Sequence, residues 1–158
     1  MSVIVWIEES ALGEWVRYSI WGYPLMITLH SLGLAVMVGL STVLSLRVLG
    51  LFDRIPYSAL HRLFSIAWVG FLVNFLSGGS LFANSATKLI VDWLFLLKMS
   101  MVIIAAILVG VMQNLIRTLP VRGDGVLAST ANLKLAAWLT MGAWSIGMVA
   151  GRFIAYPH

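Results

Sequence analysis

The sequence predicts an all-α integral membrane protein: an up-down four-helix bundle preceded by a short interfacial helix, forming one transmembrane domain over residues 1–158. Three observations predict it. Of the residues, 61% are hydrophobic and only 10% are charged, whereas a water-exposed domain carries about a quarter charged residues. The apolar residues gather in four runs near the roughly 20 residues of helix that hydrocarbon requires. The basic residues stand at the ends of these runs, more on one side than on the other.

Residues 3–17 mix Val3, Ile4, Val5, Trp6, Ile7, Leu12, Trp15 and Val16 with Glu8, Glu9 and Glu14. That run is too short and too acidic to span, and it suits a helix lying at the membrane interface. Spans are expected at about 18–46, 63–82, 93–116 and 135–151. Pro24 falls near the start of the first, where a first turn tolerates it or the helix kinks. Pro120, Arg122, Gly123, Asp124 and Gly125 supply turn chemistry between the third and fourth. Loops this short make neighbouring helices antiparallel. Helix packing in lipid needs small residues, which are present as Ser31, Ala35 and Gly39 in the first span, Ala106 and Gly110 in the third, and Ala143, Gly147 and Gly151 in the fourth. The last set favours packing within the chain over pairing with a second copy.

The net charge of +4 does not indicate nucleic acid, because the cations flank apolar spans instead of clustering with aromatics on one exposed segment. It reports topology. Arg47, Arg54 and Arg62 lie between the first two spans, and Arg117, Arg122 and Lys134 between the last two. The positive-inside rule places both loops in the cytoplasm and both termini on the periplasmic side of a bacterial inner membrane. Trp15, Trp21, Tyr23, Trp93 and Tyr156 form the expected aromatic belt on the outer side. The acidic start argues against a cleavable signal peptide. There is no cysteine, which excludes disulfides, thiolate catalysis and cysteine-ligated metals. No nucleophile–base pair, phosphate loop or zinc motif is present.

Function is sought where hydrocarbon should have excluded a residue, since a mid-membrane charge costs on the order of 3 kcal/mol. His30, Asn74 and Lys98 qualify, and all three fall in the outer half of the expected bundle, with Trp144 and Ser145 at a comparable depth. One reading makes His30 the metal ligand of haem b held between the helices. Lys98, or the outer arginines Arg17 and Arg152, would then pair with propionates, and a neutral Lys98 is a less usual second ligand. No second histidine lies at the depth of His30, because His61 is at the cytoplasmic end and His158 is the last residue. The haem would therefore be five-coordinate, have a non-histidine ligand or be shared between subunits. A second reading is a proton or ion path through His30 and Lys98, although no matching acid lies within the spans. A third is structural: His30, Asn74 and Lys98 bond to each other and to carbonyls, with Lys98 snorkelling outward.

Other features are expected to be quieter. His61–Arg62 suits lipid headgroups or a helix cap, the methionines suit core filling, and Lys88–Asp92 suits a surface pair at i, i+4. Ser77-Gly78-Gly79-Ser80 would let either a cofactor, a lipid or a neighbouring helix approach the backbone.

Leu29-His30-Ser31-Leu32-Gly33-Leu34-Ala35, closed by Arg47-Val48-Leu49-Gly50-Leu51, resembles a group of small bacterial four-helix membrane proteins with no assigned activity. So does the entry to the third span, with Lys88, Asp92, Trp93 and Leu96-Leu97-Lys98-Met99. The resemblance covers most of the chain and implies that His30 and Lys98 occupy the group's characteristic positions. A looser similarity is to cytochrome b-type membrane anchors and copper-resistance membrane proteins, which also carry histidines within helices. The resulting expectation is a haem-binding electron-transfer or accessory subunit working between a quinone or partner subunit and an outer-face acceptor. Partners would be the lipid bilayer and another membrane subunit or a second copy. A structural or assembly subunit and a small proton or ion conductor are the alternatives.

Overall fold

The structure, a computed structural model, describes residues 3–52, 54–118 and 130–154. The turn expected from Pro120 to Gly125, together with Asp53, Tyr156 and His158, lies outside the described residues. The described chain is helical throughout: α1 (Val3–Glu8), α2 (Ala11–Tyr18), α3 (Gly22–Val48), α4 (Tyr57–Ala83), α5 (Ala86–Leu89), α6 (Trp93–Thr118) and α7 (Ala131–Phe153). Among them, α3, α4, α6 and α7 are long and apolar enough to cross a membrane. They also expose large apolar side chains, such as Leu72, Leu76, Ile107 and Val149, compatible with contact to a bilayer.

Capping explains two of the differences between the observed bounds and the sequence reading. The interfacial segment is two helices, because Ser10 breaks it. Its hydroxyl accepts from the Gly13 N–H at 3.3 Å and donates to the Ile7 carbonyl at 2.6 Å, ending one helix and starting the next. Helix α7 begins at Ala131, since Thr130 accepts from the Leu133 N–H at 3.3 Å. Asp92 is likewise a cap: it accepts from the Leu94 N–H at 2.8 Å at the head of α6, a role other than the expected pairing with Lys88. Pro24 is the third residue of α3, where its missing N–H leaves no helical carbonyl unpaired.

Helix α3 packs on α4, α6 on α7, and α3 on α7. Among the four long helices the tightest approach is between α3 and α4. A Cβ on Gly33 would fall 2.6 Å from the Asn74 nitrogen and 2.8 Å from the Gly70 carbonyl, so the two backbones touch there. Ser31, Ala35 and Gly39, the small residues expected to pack α3, are exposed instead, while Gly33 is buried. The set on α7 does pack inward: Gly147 lies against Met101 and Gly151 against the Lys98 side chain. Helices α4 and α6 stand further apart and meet through side chains. The Trp68 indole N–H donates to Gln113 at 3.0 Å, and Phe82 stacks on Phe95 with centroids 5.5 Å apart. These contacts pair rising with falling residue numbers, so consecutive long helices run in opposite directions.

The half of the assembly toward the α3–α4 and α6–α7 connections is filled by Met37, Leu44, Leu60, Phe64, Val109, Met112 and Leu133, each almost fully buried. At the other end, α1 and α2 are pinned to the α4–α5 turn. Glu8 pairs with Arg17 at 3.2 Å and accepts from the Thr87 N–H at 2.7 Å, while Arg17 donates to the Asn84 carbonyl at 2.7 Å. The Thr87 backbone bond chiefly holds the Glu8 carboxyl below the usual range, helped by the Thr87 side chain and, less, by the Arg17 and Lys88 charges, against an opposing desolvation. A lowered folded-state pKa contributes stability that is complete above the unfolded value and lost as pH falls through the folded one. Corrected for the intrinsic base-catalysed rate, the protection of amides in α1 and at Thr87 should therefore fall on acidification through the carboxylate range, and Glu8→Gln should lower that protection at neutral pH and remove most of its pH dependence.

Candidate functional site

His30, Asn74 and Lys98 come together at one level, eight residues or so into α3, late in α4 and one and a half turns into α6. The Gly33–Gly70 contact is what allows it. With the backbones of α3 and α4 touching, His30 Nδ1 reaches the backbone carbonyl of Asn74 at 3.1 Å. The Asn74 side-chain amide donates back to the His30 carbonyl at 2.9 Å. Two helices are thus bolted by reciprocal bonds, and Asn74 is buried.

The shorter of the two contacts at Nδ1 favours one tautomer of His30. A carbonyl only accepts, so the 3.1 Å contact places the proton on Nδ1. The Asn74 amide nitrogen also lies 3.3 Å from Nδ1 and its second N–H competes for the opposite tautomer, but the carbonyl contact is the shorter of the two and is met only with the proton on Nδ1. Nε2 is left as a lone-pair donor with no hydrogen-bond partner among the described residues. An imidazole whose Nδ1–H is held by a carbonyl while Nε2 stays open has the form of a metal-ligating histidine. The edge of the ring lies on Gly78, whose added Cβ would be 3.0 Å from Cε1.

Two cavities meet at this ring. The first, about 270 Å³, opens sideways between α4 and α6 and is lined by Phe71, Asn74, Phe75, Gly79, Met99 and Val102. The second, about 340 Å³, opens toward the end that carries α1, α2 and α5, past Tyr23, Asn84, Ser85, Leu89 and Ile154. His30, Gly78, Phe82, Phe95 and Lys98 line both. The sideways opening exists because α4 and α6 are held apart between the Phe82–Phe95 stack and the Trp68–Gln113 bond. Each cavity is near the lower end of the roughly 300–1,000 Å³ usual for small-molecule sites, and their shared wall makes the available space larger.

Lys98 runs along α7, with its Cδ and Cε 3.2 and 3.3 Å from where a Gly151 Cβ would stand. Its ammonium has no hydrogen-bond or ion-pair partner among the described residues, and α3, α4, α6 and α7 contain no aspartate or glutamate. By contrast the hydroxyls of the long helices are spoken for: Ser31, Ser41, Ser45, Ser77, Ser80 and Thr140 each donate to the carbonyl one turn back.

The other sequence candidates sit elsewhere. Trp144 is buried, with its indole N–H unpartnered among the described residues, but it lines neither cavity. Ser145 is exposed, donates to the Met141 carbonyl and borders a shallow apolar groove between α6 and α7. Arg17 is committed to Glu8 and Asn84, and Arg152 is exposed in the last turn of α7. His61 is exposed at the opposite end of α4. The aromatic walls Phe71, Phe75, Phe82 and Phe95 were not singled out by sequence, because a phenylalanine in an apolar span carries no signal of its own. The Ser77–Ser80 segment was, and it delivers Gly78 and Gly79 to the cavity.

No group of three or more histidine, cysteine or acidic side chains gathers among the described residues, so a free ion held by protein ligands alone has no cage there. A tetrapyrrole brings its own equatorial nitrogens and asks the protein for an axial donor, flat apolar walls and a cation. His30 Nε2, the four phenylalanines with Gly78 and Gly79, and Lys98 are the groups here that could hold one. Comparison with protein-family models, with curated proteins and with solved structures finds no match to this chain.

Proposed function

We propose that the chain is a haem b-binding subunit of a bacterial cytoplasmic membrane, an up-down four-helix bundle with both termini and the α1–α2 arm on the periplasmic side. The single observation that carries this reading is the His30 ring: Nδ1–H is held by the Asn74 carbonyl and Nε2 is open in a residue shared by two cavities. His30 would be the axial ligand, Lys98 would balance a propionate, and Gly78 with the phenylalanine walls would admit the macrocycle. Bound haem would supply one-electron chemistry. A site reachable both from hydrocarbon and from the outer end suits electron exchange between a membrane-dissolved quinone or a partner subunit and an outer-face acceptor.

The competing conductor reading is disfavoured by the tightly filled half around Leu44, Phe64 and Met112, which leaves Lys98 without a continuation across the membrane. A purely structural role accounts for the His30–Asn74 bonds and leaves both the open Nε2 and the cavities without a purpose.

The test is the visible spectrum of protein purified from cells supplied with haem. The reading expects a Soret band and a reduced-minus-oxidised difference, both lost in folded His30→Ala. Colourless wild-type protein, or an unchanged spectrum in His30→Ala, overturns it.

A further inference from the structure

We infer that the sideways opening between α4 and α6 binds a single-chain lipid carboxylate, with its tail between the two helices and its head on Lys98. The binding rests on the opening and on the lysine alone. Only its consequence, competition with haem for the shared wall, rests on the reading proposed above.

The walls of the opening toward the lipid are apolar, built by Phe71, Phe75, Met99 and Val102. Lys98 also lines it, and its ammonium, 3.5 Å from where a Gly151 Cβ would stand, has no anion among the described residues. An apolar slot lined by an unpaired cation is complementary to an amphiphile with a negative head, because the pair forms where screening by water is weak. Depth selects the kind of head. Lys98 lies five residues past Trp93, which is about 7–8 Å along the helix at 1.5 Å per residue. A phospholipid phosphate is tied to the membrane surface by its glycerol and second chain, whereas the carboxylate of a single chain is free to sink to that level. The Phe82–Phe95 stack and the Trp68–Gln113 bond limit the slot along the helices and disfavour two chains side by side. Free fatty acid would then lower haem occupancy of the same protein.

The full-length protein in detergent is titrated with palmitate and with hexadecanol, which has the same chain without the charge, and bound ligand is counted by native mass spectrometry. One palmitate should bind at least tenfold more tightly than hexadecanol. Lys98→Met should erase that preference, Lys98→Arg should keep it, and Val102→Trp, which fills the slot, should weaken both ligands. Haem-free wild-type protein should show the same palmitate preference, so a failure of the haem reading leaves this result standing. In haem-loaded wild type, palmitate should reduce the Soret band and hexadecanol should not. Equal binding of the two ligands, a palmitate preference surviving in Lys98→Met, or displacement of palmitate by phosphatidylglycerol at equal concentration would overturn the proposal.

Discussion

Gly33→Ala is expected to destabilise the protein by about 1–3 kcal/mol, and Gly33→Leu to prevent α3 and α4 from docking at all. The reason is that the added carbon meets backbone, at 2.6 Å from the Asn74 nitrogen and 2.8 Å from the Gly70 carbonyl. Backbone cannot swing aside as a side-chain end can, so the helices must separate. The separation would also draw His30 Nδ1 away from the Asn74 carbonyl, now 3.1 Å distant, and release the ring. Thermal unfolding in detergent should show the loss, and any bound chromophore should be lost with it. Gly142→Ala is the control. It stands in α7 with nothing within 4 Å of its added carbon, so the helical gain over glycine, about 0.5–1 kcal/mol, should appear unopposed.

The second large effect is expected from Gly78→Val, with the fold intact. A Cβ alone would stand 3.0 Å from His30 Cε1 and 3.2 Å from Nδ1, and valine adds two methyl groups beside them. The imidazole must then rotate, giving up its bond to Asn74 or turning Nε2 out of the shared wall. Disturbing the orientation of a ligating histidine costs about 10–100-fold in affinity. Haem titration of Gly78→Val should show a loss of at least that size, with an unfolding midpoint close to wild type. A large fall in the midpoint without a change in affinity would mean that Gly78 serves helix packing and not the ring.

These two glycines show where the sequence was legible and where it was not. Depth was readable: counting residues from flanking charges placed His30, Asn74 and Lys98 at one level, and they do line one cavity. Direction around a helix was not, since each residue turns the chain by about 100° and an all-apolar helix gives no polar face to orient it. Trp144 and Ser145 illustrate the cost. They are neighbours at the right depth, yet one is buried away from the cavities and the other is exposed beside a groove between α6 and α7. The small residues of α3 fail for the same reason, because Ser31, Ala35 and Gly39 turn outward while Gly33, off their register, makes the contact. Arg17 was a plausible partner for an anion until Glu8 and the Asn84 carbonyl were seen to hold it. The gap between α4 and α6 is a property of three helices packing at once, and no single span encodes it.

The most direct test of the account is chemical rescue at position 30. His30→Gly, purified with haem supply, is titrated with free imidazole while the Soret region is recorded. The account predicts little or no haem absorbance without imidazole and a saturable return of the wild-type spectrum with it, because the missing ring is resupplied between the Asn74 carbonyl and the cavity. A wild-type spectrum in His30→Gly before imidazole is added, or none after saturation in protein that remains folded, would contradict the claim that this imidazole is the ligand.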